Sequence, residues 1–376
     1  MAALLRKRQT LTYVEYASGL TFSCALPSRL LNGLQEKAGL FPAGVLCSKA
    51  AMPQPLRSEE DFLALIDACF PTAHPDLAIP RGDDCALIRT PGDLLISTDL
   101  FLEHMHFRRS YFSAGDIGHK ALAVNISDIA AMGGKPHSFS LSLAAPPGLS
   151  RSFFAEMFAA MAELAGQHGV FLSGGDLSRG KTLGLCITIL GLPAPGGQVL
   201  LRGRCRPGDV LLVLGKPGLA RAGLLALEAD PRAARRDYPA AVAAHLRPQA
   251  RVDEGLKLAS LPGVRGAMDV SDGLARDLPR FLGPGLGACL ALPPHFVHPE
   301  VAAFCAARGL GSPDHFALLG GEDYALLAAV DPAHAPAVLT ALPRALPFGQ
   351  VTAKPGLVLS GQPLDLAGFD HFSEGN

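Results

Sequence analysis

The sequence predicts a two-domain α+β fold, and three observations carry that prediction. At 376 residues the chain exceeds a usual single domain, and its 49% hydrophobic and 18% charged composition supplies ample apolar mass for buried cores. Helix-like and strand-like patterns mix in both halves without a long βαβ regularity and without an internal repeat. The stretch Pro193-Ala194-Pro195-Gly196-Gly197 breaks both patterns and reads as a linker. The expected division is an N-terminal extension over 1–57, a first domain over 58–195 and a second over 196–376.

Taken in order, the folded body opens at Ser58, which can cap a helix through Asp61, with Phe62, Leu65, Ile66 and Cys69 on one face. Cys85–Arg89 and Asp93–Thr98 read as two short strands around the turn Thr90-Pro91-Gly92, which places Asp84 and Asp99 near strand ends. Residues 115–132 carry a helical pattern in which Ala121, Val124, Asn125, Asp128 and Ile129 recur at spacings of three and four, so Asp128 sits among apolar neighbours. Strand 138–144, helix 151–168 after a cap at Ser150, strand 170–173 ending at Gly174-Gly175-Asp176, and strand 183–190 complete the first half. The second half reads as strand 209–214 running through Gly215-Lys216-Pro217-Gly218 into a helix, then helix 249–260. The corner Asp269-Val270-Ser271-Asp272-Gly273 follows, with a helix from Asp272, strand 287–292, helix 299–308, the corner 320–324, strand 325–330 and a mixed tail.

Composition excludes several roles. Lys plus Arg number 33 against 34 for Asp plus Glu, a net charge of −1, and no basic stripe or basic-aromatic interleaving suits nucleic acid. No stretch approaches the roughly 20 apolar residues of a membrane span. The eight cysteines form no C-x-x-C pair, which points to a reducing, cytoplasmic setting. Residues 1–51 open with Arg6-Lys7-Arg8 but carry no clean apolar run after it, so they read as a dispensable extension rather than an export signal, with Met52 as the alternative start.

Chemistry concentrates in six corners where a carboxylate stands beside glycine or a hydroxyl: Gly82-Asp83-Asp84, Ser97-Thr98-Asp99, Ser127-Asp128, Gly174-Gly175-Asp176, Asp269–Gly273 and Gly320-Gly321-Glu322-Asp323. Asp and Gly are common turn formers, but six such corners on a neutral chain point to one site. Two carboxylates about 4 Å apart repel by roughly 4 kcal/mol at an effective dielectric near 20, so convergent acids require cations. All-oxygen ligands select hard ions, and Mg²⁺ is held by a few carboxylates together with substrate phosphates. A metal-polyphosphate site and phosphoryl transfer are the expected chemistry.

The runs Gly82–Ala86, Ser97–Asp99 with His106-Phe107, Lys120–Gly133, Gly174–Asp176, Arg202 with Arg206-Pro207-Gly208-Asp209, Asp269–Leu274, Gly320–Tyr324 and Gly368–Phe372 resemble, in order, the motifs of the thiamine-monophosphate kinases. The resemblance covers roughly residues 57–372. It implies the two-domain aminoimidazole ribonucleotide synthetase-like α+β fold, a homodimer formed through the first domain, and ATP and thiamine monophosphate as substrates. It further implies that Asp84, Ser97, Thr98, Asp99, Asp128, Asp176, Asp269 and Asp272 bind Mg²⁺. By the same resemblance Arg202, Ser271 and the backbone near Gly175-Asp176 touch ATP, and His106, Glu322 and the aromatic at Phe369 touch thiamine monophosphate. Phe369 stands where the family often has Tyr or Trp, which keeps a stacking face and loses a polar donor. His168 stands where a Tyr packs near the adenine.

The expected reaction is in-line attack of the thiamine monophosphate phosphate on the γ-phosphorus of ATP, with Asp99, Asp128, Asp176 and Asp269 as the catalytic carboxylates. His104-Met105-His106 lacks a third nitrogen or sulfur ligand for zinc, and Gly215–Gly218 lacks the spacing of a phosphate loop. Asp323 is expected to bond its own loop, and Lys120 and Asn125 are equally explained by helix packing and capping. A ring-closing synthetase of the same fold and a catalytically silent nucleotide sensor are the rival functions.

Overall fold

A computed structural model describes residues 58–81 and 85–364. The predicted extension, the Gly82-Asp83-Asp84 corner and the Gly368–Phe372 motif, hence Asp84 and Phe369, lie outside the described residues.

Ser58 closes a capping box with Asp61 at the start of α1 (Glu59–Cys69), which buries Leu65 and Ile66. Strands β1 (Leu77–Ile79) and β2 (Leu87–Ile88) pair with each other. The next strand, β3 (Leu95–Leu102), pairs elsewhere, so the hairpin expected around Thr90-Pro91-Gly92 does not form. After it come α2 (Ala114–Ala131), β4 (Gly134–Ala145), α3 (Arg151–His168), β5 (Phe171–Arg179) and β6 (Gly184–Pro193). Their strands make one four-stranded sheet in the order β3-β6-β4-β5. Both β3 and β5 outrun their expected ends, so Asp99 and Asp176 lie within strands rather than at corners. The cause is pairing: Asp99 stands opposite Ile187 and Asp176 opposite Ser142, and those ladders carry the extended backbone through the polar residues.

Beyond the 193–197 segment, β7 (Val210–Leu214) leads into α4 (Leu219–Ala229), α5 (Pro231–Asp237), α6 (Pro239–Leu246) and α7 (Val252–Ser260). Then follow β8 (Val264–Val270), α8 (Leu274–Leu282), β9 (Gly287–Leu290), α9 (Pro299–Arg308), α10 (Pro313–Leu318), β10 (Ala325–Val330), α11 (Ala335–Ala341), β11 (Leu346–Thr352), β12 (Gly356–Leu359) and β13 (Gln362–Pro363). The seven strands form a second sheet, β13-β12-β9-β11-β7-β10-β8. Every residue of β10 is buried, as expected of a strand covered on both faces.

Helix α2 is the pivot of the molecule. Its capping box, Ser113 with Asp116, starts a helix that buries residues all round, because it packs on the first sheet and α3 and also on α7 and β8. The first core does not stop at the linker. Phe139, Phe154 and Ile187 share one apolar cluster with Leu227, Val242 and Leu246 of α4 and α6 and with Phe304 and Phe316 of α9 and α10.

Candidate active site

The site forms where β3, α2 and β8 meet. Side chains on β3 alternate between faces, so Ser97, Asp99 and buried Phe101 share the inner face. From α2, half-buried Asp128 accepts a hydrogen bond from Ser97 Oγ at 2.5 Å. Its neighbour Ser127, fully buried, donates from Oγ to Asp269 Oδ2 at 3.0 Å, and Asp269, near the end of β8, is itself buried. Burial pushes Asp99 up to about 6, and the Asp128 charge adds to it. Burial followed by the Asp128 charge pushes Asp269 up to about 7, against the Ser127 bond and the Arg202 guanidinium. Asp128 is likewise raised by burial, against its Ser97 bond and Arg202. Three carboxylates thus press on one another beside a single arginine. Tyr324 sits among them: burial, and then the charges of Glu322, Asp269, Asp99 and Asp128, hold its hydroxyl well above the usual tyrosine range.

The loop after β8 is shaped from within. Asp277, buried on α8, accepts the Asp272 N–H at 2.9 Å, while Gly273 (φ 103) has no room for a side chain, since a Cβ there would lie 2.7 Å from Gly320 O. Glu322 N–H donates to Ser271 O at 2.7 Å and Tyr324 N–H to Val270 O at 3.0 Å, which fastens the 320–324 segment to the same corner. Asp323 accepts from Gly218 N and Ala220 N at 2.6 and 3.0 Å and so caps α4 rather than bonding its own loop, while Gly215–Gly218 is a turn before that helix.

The chain matches the family "AIR synthase related protein" twice, its N-terminal domain over residues 82–192 and its C-terminal domain over 206–362. The thiamine-monophosphate kinase of Escherichia coli (strain K12) is 35% identical over 319 residues, spanning 79% of this chain and 93% of that protein. This chain belongs to the thiamine-monophosphate kinase family. Among solved structures, the thiamine-monophosphate kinase from Stenotrophomonas maltophilia K279a superposes with a TM-score of 0.69 at 28% identity, covering 81% of this chain and 98% of that one. AaThiL complexed with AMPPCP and TMP superposes at 0.67 with 27% identity, covering 84% and 99%.

Of the residues that the sequence offered as ligands, the fold gathers Ser97, Asp99, Asp128 and Asp269 with Arg202 nearby. Others lie differently. Thr98 points to the opposite face of β3, where its hydroxyl meets Thr188 Oγ1 at 2.9 Å. Asp176 is exposed on edge strand β5, and its register places it in one row with Ser142, Cys186 and Leu100 on that same outer face. The Asp272 carboxylate pairs with Arg280 at 2.6 Å and faces Arg276 at 3.7 Å. Gly175 has backbone in place of any side chain, since a Cβ there would fall 1.8 Å from Leu141 O. His106 stacks near Phe101 and accepts the Leu102 N–H at Nδ1, 3.0 Å away, so in its neutral form the proton stands on Nε2. Among the described residues no three His, Cys, Asp or Glu side chains stand close enough to hold a metal by themselves.

Three residues that sequence reasoning left aside belong to the same neighbourhood. Lys120, which packing would have explained, is fully buried and lies 3.3 Å from Glu322 Oε1, while buried His245 Nδ1 lies 3.0 Å from Glu322 Oε2. Tyr324 is the third. The sequence signal for Lys120 was a cationic residue opening the mostly apolar run 120–126, since burying a lysine demands an anion.

Proposed function

We propose that this protein transfers the γ-phosphoryl group of ATP to thiamine monophosphate, giving thiamine diphosphate and ADP. The observation that carries the reading is the group Asp99, Asp128 and Asp269, in which Asp128 repels each of the other two, Asp128 and Asp269 hold hydroxyl partners and one arginine stands near, in a chain of the thiamine-monophosphate kinase family. A donor set made only of oxygens suits Mg²⁺ that retains water and is completed by phosphates. Ser97, Asp99, Asp128 and Asp269 would hold it, with Asp84 and Asp272 as further candidates. Bound Mg²⁺ supplies charge neutralisation between the two anionic substrates.

The residues of the chain then position the reactants. A phosphate oxygen of thiamine monophosphate, already largely ionised because its second pKa is about 6, attacks the γ-phosphorus, and the bond to the bridging oxygen of ADP breaks. No general base is required. Arg202, Ser271 and the Gly175-Asp176 backbone are assigned to ATP, and His106, Glu322 and Phe369 to the acceptor, with His106 offering its Nε2–H to the phosphate.

Thr98 and Asp176 fit this assignment through a homodimer. Both face outward on the first sheet, from strands at its opposite edges, so a second copy laid on that face is the arrangement that lets them reach a shared ion. Ile96 and Leu100 on the same face are 69% and 58% exposed, the kind of apolar area that a partner covers. The six described cysteines are free thiols, which supports a cytoplasmic setting, and among the described residues no helix is long and apolar enough to cross a membrane.

Purified protein given γ-labelled ATP, Mg²⁺ and thiamine monophosphate is expected to place the label in thiamine diphosphate. Turnover of aminoimidazole precursors in place of thiamine monophosphate would move it to the ring-closing synthetases. Binding of ATP without any labelled product would make it a sensor.

A further inference from the structure

The acceptor side holds a cluster that the phosphoryl chemistry does not use. Lys120 on α2 is 0% exposed and His245 on α6 is 1% exposed, yet the carboxylate between them, Glu322, is 28% exposed. A purely structural buried ion pair hides both partners. Here the cation and the imidazole are hidden and the anion faces outward. Each oxygen of that anion is held separately: Oε1 stands 3.3 Å from Lys120 Nζ, and Oε2 stands 3.0 Å from His245 Nδ1. A carboxylate oxygen only accepts, so the Nδ1 that faces Oε2 carries the imidazole proton and donates to Glu322, and Lys120 Nζ, 3.4 Å from that same Nδ1, donates to Oε1. His245 Nε2 is then a buried acceptor with no partner among the described residues, beside the rings of Tyr111 and Phe112.

The backbone is fixed as firmly as the carboxylate. Glu322 adopts φ 62, a left-handed conformation rare outside glycine, and its N–H is bound by Ser271 O. Strain of that kind persists where surroundings over-determine it, as at ligand clamps. A carboxylate oxygen has two lone pairs, so one edge of Glu322 is free to receive a donor or a cation after both clamps are made.

We propose that Lys120 and His245 are positioning residues that clamp Glu322 with its free edge toward the cationic organic part of the acceptor, and that α2 sets the distance from that clamp to Asp128 at the phosphate end. Lys120 and Asp128 are eight residues apart on one face of α2, about 12 Å along the axis, the reach of a two-ring cation with a phosphate arm. The clamp thereby makes the enzyme choose an acceptor by both charge and length. This inference rests on the assignment of thiamine monophosphate as acceptor.

The test compares Lys120→Met, His245→Phe and Glu322→Gln with the natural protein, reading KM for thiamine monophosphate and for ATP separately and acceptor binding by calorimetry. The acceptor KM is expected to rise about tenfold or more while that for ATP moves less than about twofold. Because Lys120→Met takes the cation from the Glu322 carboxylate and can cost folding, the double variant Lys120→Met with Glu322→Gln removes both charges together. Its acceptor loss is expected to be no greater than that of Glu322→Gln alone, the non-additivity of residues acting as one unit. An uncharged-ring analogue of the acceptor is expected to bind the natural protein more weakly than thiamine monophosphate, and the Glu322→Gln variant equally. Equal rises in both KM values, additive losses in the double variant, or unchanged acceptor binding would each overturn the clamp. A natural protein that binds thiamine monophosphate without phosphorylating it would instead overturn the kinase reading, and the calorimetry would still judge the clamp.

Discussion

Asp128 is the residue on which most depends, because it accepts from Ser97 and raises the proton affinity of both Asp99 and Asp269. Its charge, rather than its shape, is what a cation would need. Asp128→Asn keeps the volume and the Ser97 bond, and it relieves repulsion, so the thermal midpoint without metal is expected to hold or rise. Thiamine diphosphate formation over a magnesium titration is expected to fall by about 100-fold or more; normal turnover at low magnesium would show that these acids do not share an ion.

The same repulsion fixes a pH dependence. Asp99 at about 6 and Asp269 at about 7 lie above the ordinary aspartate value. The folded, metal-free protein therefore holds protons that the unfolded chain releases, and its stability declines as pH rises from about 4 through about 7. Magnesium with ATP offsets the exposed charge, so its gain in melting temperature is expected to be larger at pH 8 than at pH 5.5. A gain independent of pH would place the cation elsewhere. Much of this group was readable in advance, since a carboxylate beside a hydroxyl or glycine is chemistry visible in one dimension. The outward turn of Thr98 and Asp176 was not. Which face a strand residue takes depends on parity counted from the pairing partner, and β5 carries an irregularity opposite Phe139 and Ser140 that shifts the count.

At the scale of elements, helices announced themselves through their caps. Ser58 and Ser150 each accept an N–H from the first turn as their positions suggested, Ser113 does the same for α2 without having been marked, and α9 spans the residues its apolar pattern marked. Helices α5 and α6 escaped because Pro231–Leu246 is alanine-rich and has little apolar stripe to read. The strand through Gly174-Gly175-Asp176 looked like a corner because two glycines suggest a turn, whereas Gly175 serves close approach of β5 to β4. Gly175→Ala drives a methyl group into Leu141 O and is expected to cost about 1–3 kcal/mol. Denaturant unfolding would measure it, and a cost near zero would mean that β5 sits farther from β4.

At the scale of the whole molecule, the exposed row on the first sheet predicts assembly. Leu100→Lys alters a side chain that is 58% exposed and outside both cores, so the protomer should fold normally. Light scattering is expected to find the natural protein dimeric and the variant monomeric, with turnover lost alongside. An active monomer would show that Thr98 and Asp176 need no partner. A break in pattern at 193–197 was visible in composition, but the merging of the first core with α4, α6, α9 and α10 was not, because an apolar stripe tells that a face is covered and never by what. That merged interior has a mechanical meaning. A helix such as α2, packed against strands of both sheets, ties the two halves together, so any swing between them would have to break its packing on one side.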